Sequence, residues 1–188
     1  MRIISGQWRG KTLRSVKGMA TRPTSDRVRE SLFNILSLRI RDANVLDLFA
    51  GTGALGIEAL SRGAKSAVFV DESKEALSVI RKNLEDCRLQ NNARVIRWNI
   101  ALNLNCLKAY EKKFDLVFMD PPYHSGLIAP ALTHLTAENC LADSACIVIE
   151  HDISETISEA ICDFYLADQR KYGRTFVSFL NTDKLKEC

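Results

Sequence analysis

Apolar and polar residues alternate in two patterns along most of the chain. Short continuous apolar runs are typical of strands buried on both faces of a parallel sheet, and apolar positions spaced three or four residues apart are typical of amphipathic helices. The runs predict strands at 45–50, 66–71, 94–98, 114–119 and 145–150. The spaced positions predict helices at 54–62, 74–89, 102–110, 127–139 and 155–161. This alternation predicts an α/β fold, with a mostly parallel sheet that helices cover on both faces.

The two ends of the chain depart from this alternation. Strand-like pieces at 2–5 and 11–16 predict an N-terminal hairpin, and a helix is predicted to follow Asp26. The apolar positions expected on the buried face of that helix are Val28, Leu32, Ile35 and Leu36. Near the other end, residues 164–171 and 175–181 predict an antiparallel pair. We place one boundary near residue 42, which separates a small hairpin and helix extension (residues 1–42) from the main domain (residues 43–188).

The chain of 188 residues carries a formal net charge of +3, which is unevenly distributed. Residues 1–41 contain ten lysines and arginines against Asp26 and Glu30, a local net charge of +8. A basic segment on an otherwise acidic domain indicates a polyanionic partner such as RNA, although a solvated basic face has the same composition. Trp8 could stack on a nucleobase or pack on the hairpin itself. The candidate substrate contacts in this segment are Trp8, Arg9, Lys11, Arg27 and Arg29.

Composition excludes several other classes of protein. The apolar fraction of 46% and the charged fraction of 26% are those of a globular protein. No apolar run approaches the roughly 18 residues that cross a bilayer, and the first residues lack the apolar core of a signal peptide, so we predict a cytoplasmic protein. The six cysteines are scattered without metal-type spacing, which predicts reduced thiols and no metal site.

The strand at 114–119 is unusual because it runs directly into Asp120-Pro121-Pro122-Tyr123. Two consecutive prolines cannot donate hydrogen bonds to a sheet, so this strand is expected to end at Asp120. Ligands bind at the carboxyl ends of the strands in an open α/β sheet. We therefore predict that these four residues form the catalytic segment.

A second candidate site follows the first strand. The stretch Asp47-Leu48-Phe49-Ala50-Gly51-Thr52-Gly53-Ala54-Leu55-Gly56 has the glycine pattern that lets a loop approach a nucleotide-like cofactor, and Asp71 ends the next strand, where a carboxylate binds ribose hydroxyls. Asp47 would repel a pyrophosphate but can bind an ammonium group, which favours S-adenosylmethionine over a dinucleotide. A loop cap is the alternative role for Asp47, and a plain turn is the alternative role for Asn99. The predicted cofactor-binding residues are Asp47, Phe49, Ala50, Gly51, Gly53, Asp71 and Asn99.

The expected topology brings these two sites together. If the strand order reverses beside the first strand, the first and fourth strands are neighbours, and the glycine loop faces Asp120 across one crevice. There, Asp120 and the Pro121 carbonyl could accept hydrogen bonds from an exocyclic amine of a nucleobase and orient its nitrogen for methyl transfer. Tyr123 could stack on the base once that base is flipped out.

The same residues resemble two nested protein families. Asp47-x-Phe49-Ala50-Gly51-x-Gly53, Asp71 and Asp120-Pro121-Pro122-Tyr123 resemble the class I amino-methyltransferases. The head, Arg2-Ile3-Ile4-x-Gly6-x-Trp8-Arg9-Gly10 followed by Arg22-Pro23-Thr24-x-Asp26-Arg27-Val28-Arg29-Glu30, is similar to the RsmD-type methyltransferases of bacteria. The resemblance implies a seven-stranded Rossmann-like sheet, S-adenosyl-L-methionine as methyl donor, and N2 of one guanine in small-subunit (16S) ribosomal RNA as the target. It also implies an assembled or partly assembled 30S subunit as substrate, with Arg22 and Thr24 near the crevice.

Three other functions stay open from the sequence. A DNA adenine-N6 methyltransferase uses the same motif, although no segment here is long enough for a separate target-recognition domain. A protein-glutamine methyltransferase is disfavoured because Asn usually replaces the Asp of that motif. An RNA-binding assembly factor without turnover is disfavoured because Asp47, Asp71 and Asp120 are all present. We expect a monomer.

Overall fold

The computed structural model describes residues 1–16, 26–157, 160–161 and 163–182. The α-helices in these residues are α1 (Asp26–Ile35), α2 (Ser37–Ile40), α3 (Ala54–Ser61), α4 (Lys74–Asp86) and α5 (Ile128–Ala137). The strands are β1 (Asn44–Leu48), β2 (Ser66–Asp71), β3 (Ala93–Arg97), β4 (Phe114–Met119), β5 (Leu141–Asp152), β6 (Ala160–Ile161), β7 (Phe164–Tyr172) and β8 (Thr175–Asn181). Short 3-10 turns lie at Gln90–Asn92 and Asn105–Leu107.

The described strands form one sheet in the order β3-β2-β1-β4-β5-β8-β7-β6. Strands β1 to β5 run parallel, and β8 joins them by pairing antiparallel with β5. The predicted reversal beside the first strand is confirmed, because β1 lies between β2 and β4. Seven of these strands give the expected mixed Rossmann-like sheet, and the two residues of β6 extend its edge.

Both faces of the sheet are covered by other parts of the chain. Successive side chains of a strand point to opposite faces, so each strand contributes to two core clusters. On one face, Val45 of β1 packs in a core cluster with the N-terminal segment and helices α1 to α4. On the other face, Leu46 of β1 packs in a second cluster with helix α5 and residues 100–107. In the part of the chain that the structure describes, no helix is long and apolar enough to cross a membrane.

The N-terminal segment is held against helix α3. The carboxylate of Glu58, which is fully buried, accepts hydrogen bonds from the backbone N–H groups of Ile4 at 2.7 Å and Ser5 at 3.0 Å. Gly6 approaches α3 so closely that a Cβ atom there would lie 1.8 Å from the carbonyl oxygen of Ser61. Glycine is therefore required at this contact, and the segment is fixed to the same helix that begins at the glycine loop.

Some predicted elements differ from the structure. The N-terminal hairpin has a single antiparallel bridge, between Arg2 and Thr12, instead of two strands. Residues 102–110 contain only the 3-10 turn at Asn105–Leu107 instead of a helix. The predicted helix at 155–161 is also wrong, because residues 155–157 are not helical and Ala160–Ile161 is the edge strand β6.

The buried face of α1 is also shifted from the predicted one. Ile35 is 43% exposed, whereas Leu32 and Leu36 are buried as predicted. Phe33 is fully buried, and its ring centroid lies 5.5 Å from that of Phe118 on β4. Aromatic contacts of this kind dominate core packing, so the large ring faces the sheet and the smaller Ile35 faces out.

Candidate active site

Strands β2, β1 and β4 end side by side at one edge of the sheet, where β5 runs on beside them to Asp152. The register aligns Val70 of β2, Leu48 of β1, Met119 of β4 and Ile149 of β5. The residues that follow them along the chain are therefore also neighbours, namely Asp71, Phe49, Asp120 and Glu150. Three of these four positions carry carboxylates, so acidic side chains and the glycine loop meet in one crevice.

The glycine loop connects β1 to α3 in a tight turn. Gly53 is the N-cap of α3 with φ 75°, and its N–H donates to the carbonyl oxygen of Ala50 at 2.7 Å. Gly56 lies directly against β2, because a Cβ atom there would lie 2.4 Å from Cε1 of Phe69. Only a glycine permits this approach, which brings the positive end of the α3 dipole to the crevice.

Asp47 lies beneath this loop and is only 2% exposed. Its Oδ2 atom accepts a hydrogen bond from the N–H of Gly56 at 2.9 Å. Burial raises the pKa of Asp47 to about 8, the bond from Gly56 opposes this rise, and the charge of Asp71 adds to it. In this conformation the Asp47 carboxyl group holds the loop, which is the alternative role that the sequence left open. Its contact with a cofactor ammonium stays a prediction.

Asp71 ties the glycine loop to the end of β2. Its Oδ2 accepts the N–H of Gly51 at 2.8 Å and its Oδ1 accepts the N–H of Ser73 at 2.9 Å. A carboxylate oxygen has two acceptor positions, so each oxygen keeps one for a ribose hydroxyl. Asp71 is 8% exposed, so it is not fully enclosed by protein. The geometry fits the predicted ribose contact.

Asn99 lines a cavity of about 550 Å³ beyond Asp71. The cavity walls combine charged, amide and apolar groups, and its lining residues are Glu72, Arg97, Trp98, Asn99, Leu102 and Asn103. The Asn99 side chain accepts the N–H of Ala101 at 3.0 Å, so its amide oxygen has a structural role in the loop. A cavity of this size, with an aromatic side chain and several polar groups, suits a flat heterocycle that accepts and donates hydrogen bonds, such as adenine.

Asp120 follows the end of β4, as predicted. The residue is exposed to solvent where it follows β4. Burial, and then the charges of Glu150 and Asp47, raise the pKa of Asp120 well above its usual range. Among the described residues, none donates a hydrogen bond to its carboxylate. Asp120 is therefore an acceptor that faces the crevice without a donor.

Tyr123 lies at the rim of the crevice and is 41% exposed. Its Oη atom lies 3.0 Å from Oγ1 of Thr175 and donates to Oε1 of Glu150 at 3.4 Å. Burial raises the pKa of Tyr123 to about 12, so the phenol stays protonated at neutral pH. The loop after Tyr123 is fixed by Glu155, which accepts the N–H of His124 at 3.1 Å. These contacts hold the ring in one place beside Asp120.

The prediction that Arg29 contacts the substrate is wrong. Its side chain is only 1% exposed, and Nη2 donates to Oδ1 of Asp26 at 2.8 Å and to the carbonyl oxygen of Arg2 at 2.6 Å. Arg29 joins α1 to the N-terminal segment from within the protein, so it is out of reach of a partner at the surface.

The other predicted substrate contacts have different environments. Trp8 is half-buried and packs against the core cluster of helices α1 to α4. This packing is the alternative that the sequence left open beside stacking on a nucleobase. Arg9 and Arg27 are exposed, and Lys11 is half-buried. Two further predicted contacts, Arg22 and Thr24, lie outside the residues that the structure describes.

Sequence reasoning missed Glu150, although a usable signal was present. The predicted strand at 145–150 ends in this acid just as the strand at 114–119 runs into Asp120. Applying the strand-end argument to both strands would have placed the two carboxylates side by side. Thr175, Trp98 and Leu102 were also missed, and their type and spacing gave no signal.

The order of the sheet, the glycine loop and the acidic strand ends define a class I methyltransferase. The family model described as "Conserved hypothetical protein 95" matches residues 1–181, and the chain belongs to that family. Among its relatives is the "Ribosomal RNA small subunit methyltransferase D" of Escherichia coli, which is 37% identical over 174 residues, or 93% of this chain and 86% of the relative. The protein of that name in Haemophilus influenzae is 40% identical over 153 residues, or 80% of this chain and 78% of the relative.

Solved structures lead to the same class. The structure named "Putative methyltransferase yhhF from Escherichia coli" superposes with a TM-score of 0.83 at 36% identity, covering 96% of this chain and 97% of that one. These matches confirm the family resemblance and the fold that the sequence implied.

Proposed function

We propose that the protein transfers a methyl group from S-adenosyl-L-methionine to the exocyclic N2 of a specific guanine in small-subunit (16S) ribosomal RNA. The observation that carries this proposal is the position of Asp120, an acceptor without a described donor, beside the glycine loop of a chain whose E. coli and H. influenzae relatives are named small-subunit rRNA methyltransferases.

The donor is proposed from the fit of the residues in the crevice. S-adenosylmethionine supplies an electrophilic methyl group on a sulfonium and carries no phosphate. Asp71 would bind the ribose of the cofactor, and the cavity around Asn99 would hold the adenine. The N-terminus of α3 would bind the carboxylate of the methionine part. Asp47 would bind its ammonium group. A pyrophosphate would instead meet three buried or partly buried carboxylates in this crevice, which costs energy.

The chemistry is assigned to the segment from Asp120 to Tyr123. The lone pair of an exocyclic amine is delocalised into the base, so the amine is a weak nucleophile. Hydrogen bonds from the amine to Asp120 and to the carbonyl of Pro121 favour a pyramidal nitrogen and orient its lone pair. The carboxylate also stabilises the positive charge that develops on the nitrogen. Tyr123, which is held by Glu150 and Thr175, stacks on the flipped base.

Residues 1–42 are proposed to hold the RNA, within an assembled or partly assembled 30S subunit, and a monomer suffices for this role. The exposed side chains of Arg9 and Arg27 are available for phosphate contacts. Arg2 and Arg14 form ion pairs with Asp26 and Asp86, so they contribute less free charge than the sequence suggests. Phosphate contacts make affinity depend on salt.

The decisive experiment incubates the protein with labelled S-adenosylmethionine and one of three substrates: unmodified small subunits, naked 16S rRNA, or DNA. Nucleoside analysis should find N2-methylguanosine at one position of the rRNA. Methylated adenine in DNA would replace this proposal by the adenine-N6 alternative. Cofactor binding with no transfer to any substrate would favour the assembly factor.

Asp120 and the basic residues are tested in the same assay. Asp120→Ala should abolish transfer while cofactor binding persists, and the control Asp143→Ala, at an exposed position of β5, should keep full activity. The double variant Arg9→Ala, Arg27→Ala should reduce the salt dependence of RNA affinity by about 1–2 in logarithmic slope. The control is Lys112→Ala, an exposed residue before β4.

A further inference from the structure

Glu150 places a second carboxylate directly beside Asp120. Strands β4 and β5 are parallel neighbours, and Met119 pairs with Ile149. Asp120, which follows β4, and Glu150, which lies within β5, are therefore adjacent on strands that lie about 4.8 Å apart. Glu150 is half-buried, and its charge contributes to the raised pKa of Asp120.

A hydrogen bond from Tyr123 joins Glu150 to the crevice rim. Tyr123 donates its hydroxyl to Oε1 of Glu150 at 3.4 Å, and the same hydroxyl lies 3.0 Å from Oγ1 of Thr175, at the start of β8. The ring proposed to stack on the base and the carboxylate of Glu150 thus belong to one hydrogen-bonded group. A base under Tyr123 would present its edge to both Asp120 and Glu150.

The edges of the bases differ in what they offer to two neighbouring acceptors. Guanine presents N1–H beside its N2 amine, so adjacent positions both donate. Adenine presents the acceptor N1 beside its N6 amine, and cytosine presents the acceptor N3 beside its N4 amine. Two carboxylates side by side match the guanine edge, and the second carboxylate would face a ring-nitrogen lone pair in adenine or cytosine.

We propose that Glu150 is a specificity-determining residue, which accepts the N1–H of the target guanine while Asp120 and the Pro121 carbonyl accept the hydrogens of its N2 amine. This inference rests on the proposed methylation of guanine. The segment Asp120-Pro121-Pro122-Tyr123 suits the amine of either guanine or adenine, and Glu150 would select guanine. With adenine, the Glu150 carboxylate would face the lone pair of N1 and accept no hydrogen bond, which strongly disfavours that base. The neighbouring negative charges repel one another in the free protein, and a base with adjacent donors relieves that repulsion.

The test replaces the target guanine by 2-aminopurine, which keeps the N2 amine but has an acceptor at N1. The target position is taken from the nucleoside analysis, and the modified rRNA is made by ligation and assembled into particles. Values of kcat/KM for methyl transfer are measured with both substrates for the wild type, Glu150→Gln and the exposed control Asp143→Asn on the same strand. Glutamine has the same size and offers an N–H donor to the N1 of 2-aminopurine.

The wild type should prefer guanine, and Glu150→Gln should reduce the ratio of the two kcat/KM values by roughly 10- to 100-fold. The control should leave this ratio unchanged. 2-Aminopurine also lacks the O6 atom of guanine, but this loss affects the wild type and Glu150→Gln equally. The change in the ratio of kcat/KM values between these two proteins therefore reports on N1 alone. If Glu150→Gln lowers both kcat/KM values equally, Glu150 acts only through Asp120 and the inference is overturned.

The wild-type protein alone also decides the question if Glu150→Gln does not fold. Equal methylation of guanine and 2-aminopurine by the wild type would show that N1–H is not recognised. If the proposed function itself is wrong, the protein would methylate no guanine in any rRNA, which differs from equal methylation of the two bases. That result would overturn both statements.

Discussion

Asp47 gives a quantitative test of how the cofactor is held. With a pKa of about 8, this carboxyl group is protonated in about nine tenths of the molecules at pH 7. An ammonium group placed beside it favours the charged form and lowers the pKa. If the pKa returns to its usual range on binding, the protein releases about 0.9 protons for each cofactor bound.

Isothermal titration calorimetry at pH 7 measures this release. The apparent binding enthalpy is recorded in buffers with different ionisation enthalpies, and the slope gives the number of protons. Asp47→Asn keeps an oxygen that accepts the N–H of Gly56 but has no proton to lose, so its slope should fall towards zero. Equal slopes for the wild type and Asp47→Asn would refute the proposed ammonium contact.

The same group affects stability in the free protein. Its pKa is higher in the folded state than in the unfolded chain, so between about pH 4 and pH 8 the folded state binds more protons. The free energy of unfolding should therefore fall as pH rises through this window, by about 1.4 kcal/mol per pH unit from this group. Urea denaturation at several pH values should show a flatter dependence for Asp47→Asn than for the wild type.

Three further predictions concern the loop, the N-terminal segment and the catalytic carboxylates. Gly56→Ala places a Cβ atom 2.4 Å from the Phe69 ring. Alanine gains about 1 kcal/mol in helix propensity, but the steric clash costs more than this gain. The net free energy of unfolding, measured by urea denaturation, should therefore fall by about 1–2 kcal/mol. Glu58→Ala removes the buried acceptor of two N-terminal N–H groups and leaves the partly buried Arg62 guanidinium, 2.7 Å from Oε1 of Glu58, without its partner. It should cost about 3–5 kcal/mol, with faster hydrogen exchange at residues 4–5. The proposed mechanism requires an ionised Asp120, and the charge of Glu150 adds to the effect of burial on the pKa of Asp120. Glu150→Gln should therefore move the acid limb of the kcat/KM profile to lower pH.

Each of these predictions has an outcome that contradicts it. Unchanged stability of Gly56→Ala would mean that Phe69 can move aside at no cost. Normal exchange protection of residues 4–5 in Glu58→Ala would mean that other contacts hold the segment, and Glu85→Ala at an exposed site of α4 is the control. An acid limb that does not move in Glu150→Gln would show that the two carboxylates are not coupled.

The catalytic edge of the sheet was predictable because strong local signals mark both β2 and β4. Both strands have the predicted bounds, since each is an apolar run that stops at a polar residue. The strand order expected for a doubly wound sheet, which the structure confirms, then brought Asp71 and Asp120 to one edge. The spacing of Asp47 from the glycines placed it near the end of the first strand, where it lies, but its burial could not be predicted without the packing of Gly56 on β2.

The helix predicted at 102–110 failed because asparagine side chains compete with helical hydrogen bonding. Asn99 accepts the N–H of Ala101 at 3.0 Å, and Asn103 accepts the N–H of Asn105 at 3.0 Å. Asn103 also accepts the indole N–H of Trp98. These local bonds favour turns, and Leu104 and Leu107 reach the core without a helix while Leu102 stays exposed.

Charge was the weakest guide to the site. The basic residues near the N-terminus were treated as one surface, yet Arg29 is buried and Arg2 and Arg14 are paired with carboxylates. Asp26 three residues before Arg29 was a sign of an ion pair within the helix. The net charge of a segment does not distinguish a cation that faces solvent from one that joins two parts of the core.

The position of β8 has a consequence for the order in which the protein folds. This strand follows β7 in the chain but lies between β5 and β7, so β7 cannot take its place in the sheet before β8 does. The tight turn at Gly173 makes the pairing of β7 with β8 local in the chain, whereas the pairing of β8 with β5 closes a longer loop, so we expect the β7–β8 pair to form first and to add to β5 together. Thr175, at the start of β8, contacts Tyr123. The rim of the active site is therefore completed only when this pair docks, so partly folded chains lack the contact that holds Tyr123 in place.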